Sequence, residues 1–215
     1  MAYDTPSATA DAGSISPFRI EIPDFNLERM QALLRLTPIA GASFENSPPD
    51  GKRDLSVPRE WLAQAKQTWE TTFGWRAHEA HLNTFAHFKA AIPLSRSTTR
   101  LSIHFAALFS RSPLATPLVL LYGWPGSFVE FLPLLARLCE KYPGPATLPY
   151  HVIVLSLPGF VFSDAFPADR HRGNEDVARG AHHGGALRRL RRLVAELLPS
   201  AEARGGGGGG WTRVR

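Results

Sequence analysis

Apolar residues recur along the chain in two periods, and each predicts a different element. Phe18, Ile20 and Ile22 alternate with Arg19 and Glu21 ahead of Pro23, which predicts a half-buried strand stopped by the proline. From a cap at Asp24 or Asn26 the period lengthens. Leu27, Met30, Leu33 and Leu34 then share one face of a helix ending near Leu36. Residues 38–56 form a Pro- and Ser-rich connection. Pro58 opens a second helix through about Thr72, with Trp61, Leu62, Ala65 and Trp69 on a stripe. A short helix over His78–Asn83 comes next. Phe88–Ile92 then reads as a strand, Pro93–Thr99 as a long polar turn, and Leu101, Ile103 and Phe105 as a second strand alternating with Ser102 and His104.

Two continuous apolar runs lie further along, at Leu118–Leu121 and His151–Leu155. Such runs predict strands buried on both faces. The first ends in Gly123-Trp124-Pro125-Gly126, where regular structure cannot continue. Ser127, three residues before Glu130, then reads as a capping box ahead of the helical run Phe131, Leu132, Leu134, Leu135 and Leu138. Strand, helix and strand make one βαβ unit with parallel strands. Leu157-Pro158-Gly159-Phe160 closes the second strand at the same sheet edge. The predicted fold class is α/β: a helical N-terminal segment, a hairpin, then a parallel sheet.

A turn of this kind leaves backbone N–H groups unpaired at the carboxyl end of a strand, where α/β sheets bind ligands and developing negative charge. An ordinary strand-to-helix connection has the same local pattern. Nucleotide binding is disfavoured, because neither G-x-G-x-x-G nor G-x-x-x-x-G-K-[ST] occurs and Trp124 is too bulky for a phosphate cradle.

Composition narrows the classes further. Cys139 is the only cysteine, which excludes a disulfide framework and a cysteine-built metal site. There is no apolar run of membrane-spanning length and no charged-then-apolar leader, so a cytoplasmic protein without a membrane span is expected. The net charge of +5 suggests nucleic acid until it is located: residues 168–215 hold 10 of the 20 arginines and 10 of the 18 glycines. The basicity belongs to a tail, and no nucleic-acid partner is expected for the folded part.

Several blocks together resemble the microsomal-type epoxide hydrolases of the α/β-hydrolase superfamily. Pro17-Phe18-Arg19-Ile20 with Leu27 resembles the family's N-terminal start. Trp61 through Trp75, with Glu79, Leu82-Asn83 and Phe85, resembles its helical meander, and Ile103-His104-Phe105 its Ile-His-Phe strand. Tyr122-Gly123-Trp124-Pro125-Gly126-Ser127 resembles its His-Gly-Trp-Pro-Gly-Ser loop. Leu157-Pro158-Gly159-Phe160 with Phe162-Ser163 resembles its Leu-Pro-Gly-Tyr-Gly-Phe-Ser loop. The resemblance runs from about residue 17 to 179.

It implies hydrolytic opening of a small-molecule epoxide to a vicinal diol without metal or cofactor. An aspartate on a strand-to-helix elbow forms an ester, two lid tyrosines hold the opening oxygen, and a histidine activates water. It also implies that Tyr122, Gly123, Trp124 and Pro125 form the oxyanion loop, with the Trp124 N–H facing the charge that forms on the aspartate. Tyr122 stands where the family has histidine, and the turn Pro93–Thr99 is longer than the family's tight hairpin.

The expected organisation is a disordered leader at 1–16, an epoxide hydrolase N-terminal-like region at 17–115, the first βαβ part of the core at 116–179, and a divergent Arg/Gly-rich tail at 180–215. The chain holds neither G-x-D-x-G nor G-x-S-x-G, and none of Tyr3, Tyr122, Tyr142 and Tyr150 is placed as a lid tyrosine. It is therefore expected to be truncated relative to the family, to lack a catalytic nucleophile, acid and histidine, and to be inactive alone. The tail reads as out-of-frame or intron-derived sequence. The alternatives are a non-catalytic fragment that associates with itself or with full-length relatives, and a membrane- or nucleic-acid-binding basic helix built on Leu187, Leu190, Val194, Leu197 and Leu198.

Other titratable groups have plainer readings. His78-Glu79-Ala80-His81 is one residue short of H-E-x-x-H and reads as a helix face. His182-His183 reads as solvated tail, Glu175 and Asp176 as a helix start, Asp164 as a loop residue, and His104, pointing outward between Ile103 and Phe105, as structural.

Overall fold

The structure, a computed structural model, describes residues 3–5, 15–47, 56–93 and 100–165. Most of the turn at 93–99, the tail 180–215, Glu175, Asp176, His182 and His183 lie outside the described residues. Two compact units are present: Ile20–Asn83, and the chain on either side of it.

The first unit holds helices α1 (Asp24–Leu36), α2 (Arg59–Thr71) and α3 (Trp75–Leu82). Prolines begin the first two. Pro23 and Pro58 are the N-cap residues, so neither Asp24 nor Asn26 caps α1 through its side chain; Asp24 instead lies in the first turn, where a carboxylate suits the helix dipole. The helix expected from His78 starts at Trp75, one turn earlier.

The alternation Phe18–Ile22 does not form the predicted strand beyond Phe18. The reason is that its ladder partners are side chains. Asn83 accepts the Ile20 N–H at 2.9 Å and donates to the Ile20 carbonyl at 2.8 Å. Glu79 accepts the Ile22 N–H at 2.7 Å. The backbone is thus satisfied by α3 without a neighbouring strand.

Glu79 is the hub of this unit. Its carboxylate also takes the Trp75 indole N–H at 3.0 Å and the Arg76 guanidinium at 2.5 Å, while Arg76 bridges to Asp24 and to the Ile22 carbonyl. Burial alone would raise the Glu79 carboxyl pKa; the Ile22 N–H, Arg76 and Trp75 outweigh it and hold the group below its ordinary value. The stripe predicted for α2 stays largely in solvent, with Trp61, Leu62 and Trp69 exposed.

The second unit is a five-stranded mixed sheet in the order β1-β2-β3-β5-β4, built from β1 (Ile15–Phe18), β2 (His87–Pro93), β3 (Arg100–Leu108), β4 (Thr116–Leu120) and β5 (Tyr150–Leu155). Pairing is antiparallel up to β3–β5, and only β4–β5 is parallel. β2 and β3, expected in a region separate from the βαβ part, therefore belong to the same sheet. β1 begins inside the expected leader. Tyr3, also within that stretch, is buried; its carbonyl accepts the Phe109 N–H at 3.2 Å and its hydroxyl donates to the Tyr142 carbonyl.

One sheet face carries Phe88, Ala90, Ile103, Phe105, Ala107, Ile153 and Leu155, with Phe88 stacked on Phe105 and edge-on to Phe109. The other carries Phe18, His87, His104, Ala106, Val152 and Val154, covered near the histidines by Phe128 and Phe162. β5 is buried on both faces from His151 to Leu155, which is why that run lacks strict alternation. The predicted crossover is present as β4, a 3-10 turn at Phe128–Phe131, helix α4 (Leu132–Lys141) and β5. The run 118–121 departs from the expectation of a strand buried on both faces. It is an edge strand, with Leu118 36% and Leu121 40% exposed, because β4 has a partner on one side only among the described residues.

No helix among the described residues is long and apolar enough to cross a membrane.

Candidate functional site

The carboxyl ends of the parallel neighbours β4 and β5 bring together the two loops singled out in the sequence. Gly123–Gly126 forms a tight turn in which the Gly126 N–H donates to the Gly123 carbonyl at 2.7 Å, with a cis peptide between Trp124 and Pro125. This is a turn with cis proline in its third position. Gly126 has no room for a side chain: an added Cβ would lie 2.9 Å from the Gly123 carbonyl oxygen and against the Glu130 carboxylate.

Ser127 caps the 3-10 turn Phe128–Phe131, though not as a capping box. Its hydroxyl accepts the Val129 N–H at 3.3 Å, and the Glu130 N–H goes to the Ser127 carbonyl at 3.2 Å. The tighter 3-10 winding presents the second amide to the hydroxyl rather than the third.

Trp124 is 85% exposed, and its backbone N–H has no hydrogen-bond partner among the described residues. Such a donor at a strand end can hold an anionic oxygen. Tyr122 behaves differently. It is buried, its hydroxyl oxygen accepts the Leu157 N–H at 3.3 Å, and its ring meets Phe160 edge-on at 6.4 Å. Gly123 and Pro125 are exposed. Of the four predicted loop residues, one anchors the turn and three are presented to solvent.

The second loop, Leu157–Asp164, folds back onto β3. Asp164 accepts the Ser102 N–H through its carboxylate at 3.0 Å and gives its own N–H to the Ser102 carbonyl at 2.9 Å. Asp164 is therefore tied into structure, in line with its reading as a loop residue. Gly159 (φ 82°) and Val161 (φ 53°) make the reversal. A β-branched residue in the left-handed region is strained, and Val161 occupies the place of a glycine in the resembling loop.

Behind both loops lies a buried polar chain that sequence reasoning missed in all but one member. His104 is fully buried. One ring nitrogen lies 2.8 Å from the Ser156 hydroxyl and the other 3.1 Å from His87. The His104 N–H donates to the Ser163 hydroxyl at 2.9 Å, and Ser163 donates onward to the Ser156 carbonyl at 2.8 Å. Burial first, then the neighbouring His87 and Lys89, push the His104 pKa down to about 3, so the imidazole is neutral. His104 is structural, as its strand position suggests, but it does not point outward into solvent: its face of the sheet is covered by Phe128 and Phe162. A single polar residue in an alternating strand carries no sign of a second layer above it.

Comparison with known proteins places this arrangement. Residues 15–131 match the family described as "Epoxide hydrolase N terminus". A putative epoxide hydrolase of Dothistroma septosporum is 43% identical over 154 residues, 72% of this chain and 36% of that protein. Juvenile hormone epoxide hydrolase 1 of Ctenocephalides felis is 31% identical, over 71% of this chain and 31% of that one. The solved structure of Aspergillus niger epoxide hydrolase superposes with a TM-score of 0.74 at 38% identity, covering 92% of this chain and 46% of that chain. The chain spans about a third of the length of the curated relatives it matches.

Proposed function

Given that the chain belongs to the epoxide hydrolase family, we propose that these 215 residues carry the oxyanion side of an epoxide-opening site and not its nucleophile. The supporting observation is the unpartnered Trp124 N–H on a tight turn at the carboxyl end of β4. In this reading the reaction is attack of an aspartate carboxylate on an epoxide carbon, then hydrolysis of the ester to a vicinal diol. The Trp124 N–H stabilises the oxyanion formed on that carboxyl group during ester hydrolysis. The aspartate, lid tyrosines and histidine of this chemistry have no counterpart in the sequence motifs of this chain. The purified chain should therefore show no turnover of an aryl epoxide such as styrene oxide. Diol formation that disappears on replacing an acidic residue within the chain would sink this reading.

A second reading, association with a copy of itself or a longer relative, draws on edge strand β4, with Leu118 exposed within it and Leu121 exposed just after it. Its expected sign is a species heavier than the monomer in sedimentation, alone or mixed with a full-length relative. A monomer in both samples would remove it.

A further inference from the structure

The geometry points to Tyr122 as the positioning residue of the Gly123–Gly126 turn: its hydroxyl oxygen, by accepting the Leu157 N–H, stitches the end of β4 to the end of β5 and sets where the Trp124 amide stands. This rests on the reading of that turn as an oxyanion loop. It assigns the holding role to a side chain that itself need never touch substrate.

The hydrogen-bond ladder shows why a side chain is needed here. In the β4–β5 register Thr116 faces Tyr150, Leu118 faces Val152 and Leu120 faces Val154, and the Thr116 N–H donates to the Pro149 carbonyl at 2.9 Å. In a parallel ladder of this phase, alternate carbonyls of β4 accept the amides of residues 151, 153 and 155. The next bond in the series would join the Tyr122 carbonyl to the Leu157 N–H. The phenol oxygen takes that amide instead, at 3.3 Å. The side chain of Tyr122 thus stands in for its own backbone carbonyl. The main chain is released to turn away at Gly123 while the two strand ends stay joined.

Burial supports the same assignment. From Leu121 to Pro125, Tyr122 is the only buried residue, and Trp124 two positions on is 85% exposed. The turn has no apolar side chain of its own to hold it down. The contact between the Tyr122 ring and Phe160 falls on the same loop that supplies the Leu157 amide, so ring and hydroxyl act on one partner segment.

The chemistry of the acceptor provides the test. The phenol oxygen can accept an N–H, and a phenylalanine ring offers no acceptor in its place. Amide hydrogen exchange would be followed by NMR on the whole chain. Tyr122→Phe, which keeps the ring, should speed exchange at Leu157 and at Gly126 by about tenfold, with Ala107 in the sheet centre unchanged. A role confined to ring packing would leave both amides as protected in Tyr122→Phe as in the unaltered chain. Unchanged exchange at Leu157 or Gly126 in Tyr122→Phe, or an equal rise at Ala107, would each overturn the assignment. A separate titration of the unaltered chain with phenylacetate, read at the Trp124 N–H, tests the oxyanion reading itself. A silent Trp124 would remove that reading, while the exchange data would still decide whether Tyr122 holds the turn.

Discussion

Replacing His104 with alanine is expected to cost about 3–5 kcal/mol of folding stability, the range for emptying a packed ring site and stranding its hydrogen-bond partner. The ring is fully buried, with Phe18, Phe128 and Phe162 at centroid distances of 5.3, 5.0 and 5.2 Å. Its removal leaves the Ser156 hydroxyl without its imidazole and takes away the contact to His87. Urea unfolding at neutral pH measures the loss directly.

The same residue sets an acid limb. An unfolded histidine takes up its proton near its ordinary value of 6.5, whereas the folded His104 does so at about 3. Between those values the unfolded chain binds the extra proton, so stability rises with pH. The contribution is complete above about 6.5 and lost as pH falls towards 3, at a limiting slope of about 1.4 kcal/mol per unit. His151, whose pKa is also lowered by burial, adds in the same direction. His104→Ala should therefore flatten the acid limb as well as lower the plateau. Stability–pH curves for the two proteins that run parallel from pH 7 to 4 would refute the assignment.

Glu79→Gln is expected to cost about 2–4 kcal/mol, because it removes the charge from a buried acceptor that gathers three donors. The donors come from Ile22, Trp75 and Arg76, and the glutamine amide would turn an N–H towards one of them. Trp75 reports the change locally: its indole N–H lies 3.0 Å from the carboxylate, so its fluorescence should shift before the sheet unfolds. A stability change within about 0.5 kcal/mol, the range of an ordinary surface substitution, would show that the cluster is not a hub. The carboxyl pKa is lowered, so this contribution holds above the ordinary carboxylate range and fades as acid titrates the folded group.

Where sequence and structure agree, the signal is local. The βαβ crossover is legible because two unbroken apolar runs flank a 3.6-period segment, and the loops because glycine and proline break any regular element. The ends of α1 and α2 lie close to the expected positions since Pro23 and Pro58 start them. The Ile-His-Phe strand and the two strand-end loops are visible through the resemblance, and the family match over residues 15–131 agrees with it.

The departures share one cause. Phe18–Ile22 has the rhythm of a strand, yet its amides are taken by Asn83 and Glu79, residues 63 and 57 positions away from Ile20 and Ile22. Leu118–Leu121 has the composition of a central strand, and its exposure comes from standing at the sheet edge. His104 sits on the alternate phase of its strand, and its burial comes from Phe128 and Phe162 arriving from elsewhere in the chain. Periodicity and turn chemistry act over a few residues, so the sequence by itself determined most of the helices, the βαβ crossover and where the chain turns. The tertiary structure alone decided which polar groups meet and which faces are covered, because hydrogen-bond partners and burial are set by segments tens of residues apart. The junction of Tyr122 with Leu157 is of that second kind: 35 positions separate them, and only the parallel pairing of β4 with β5 brings the phenol to the amide.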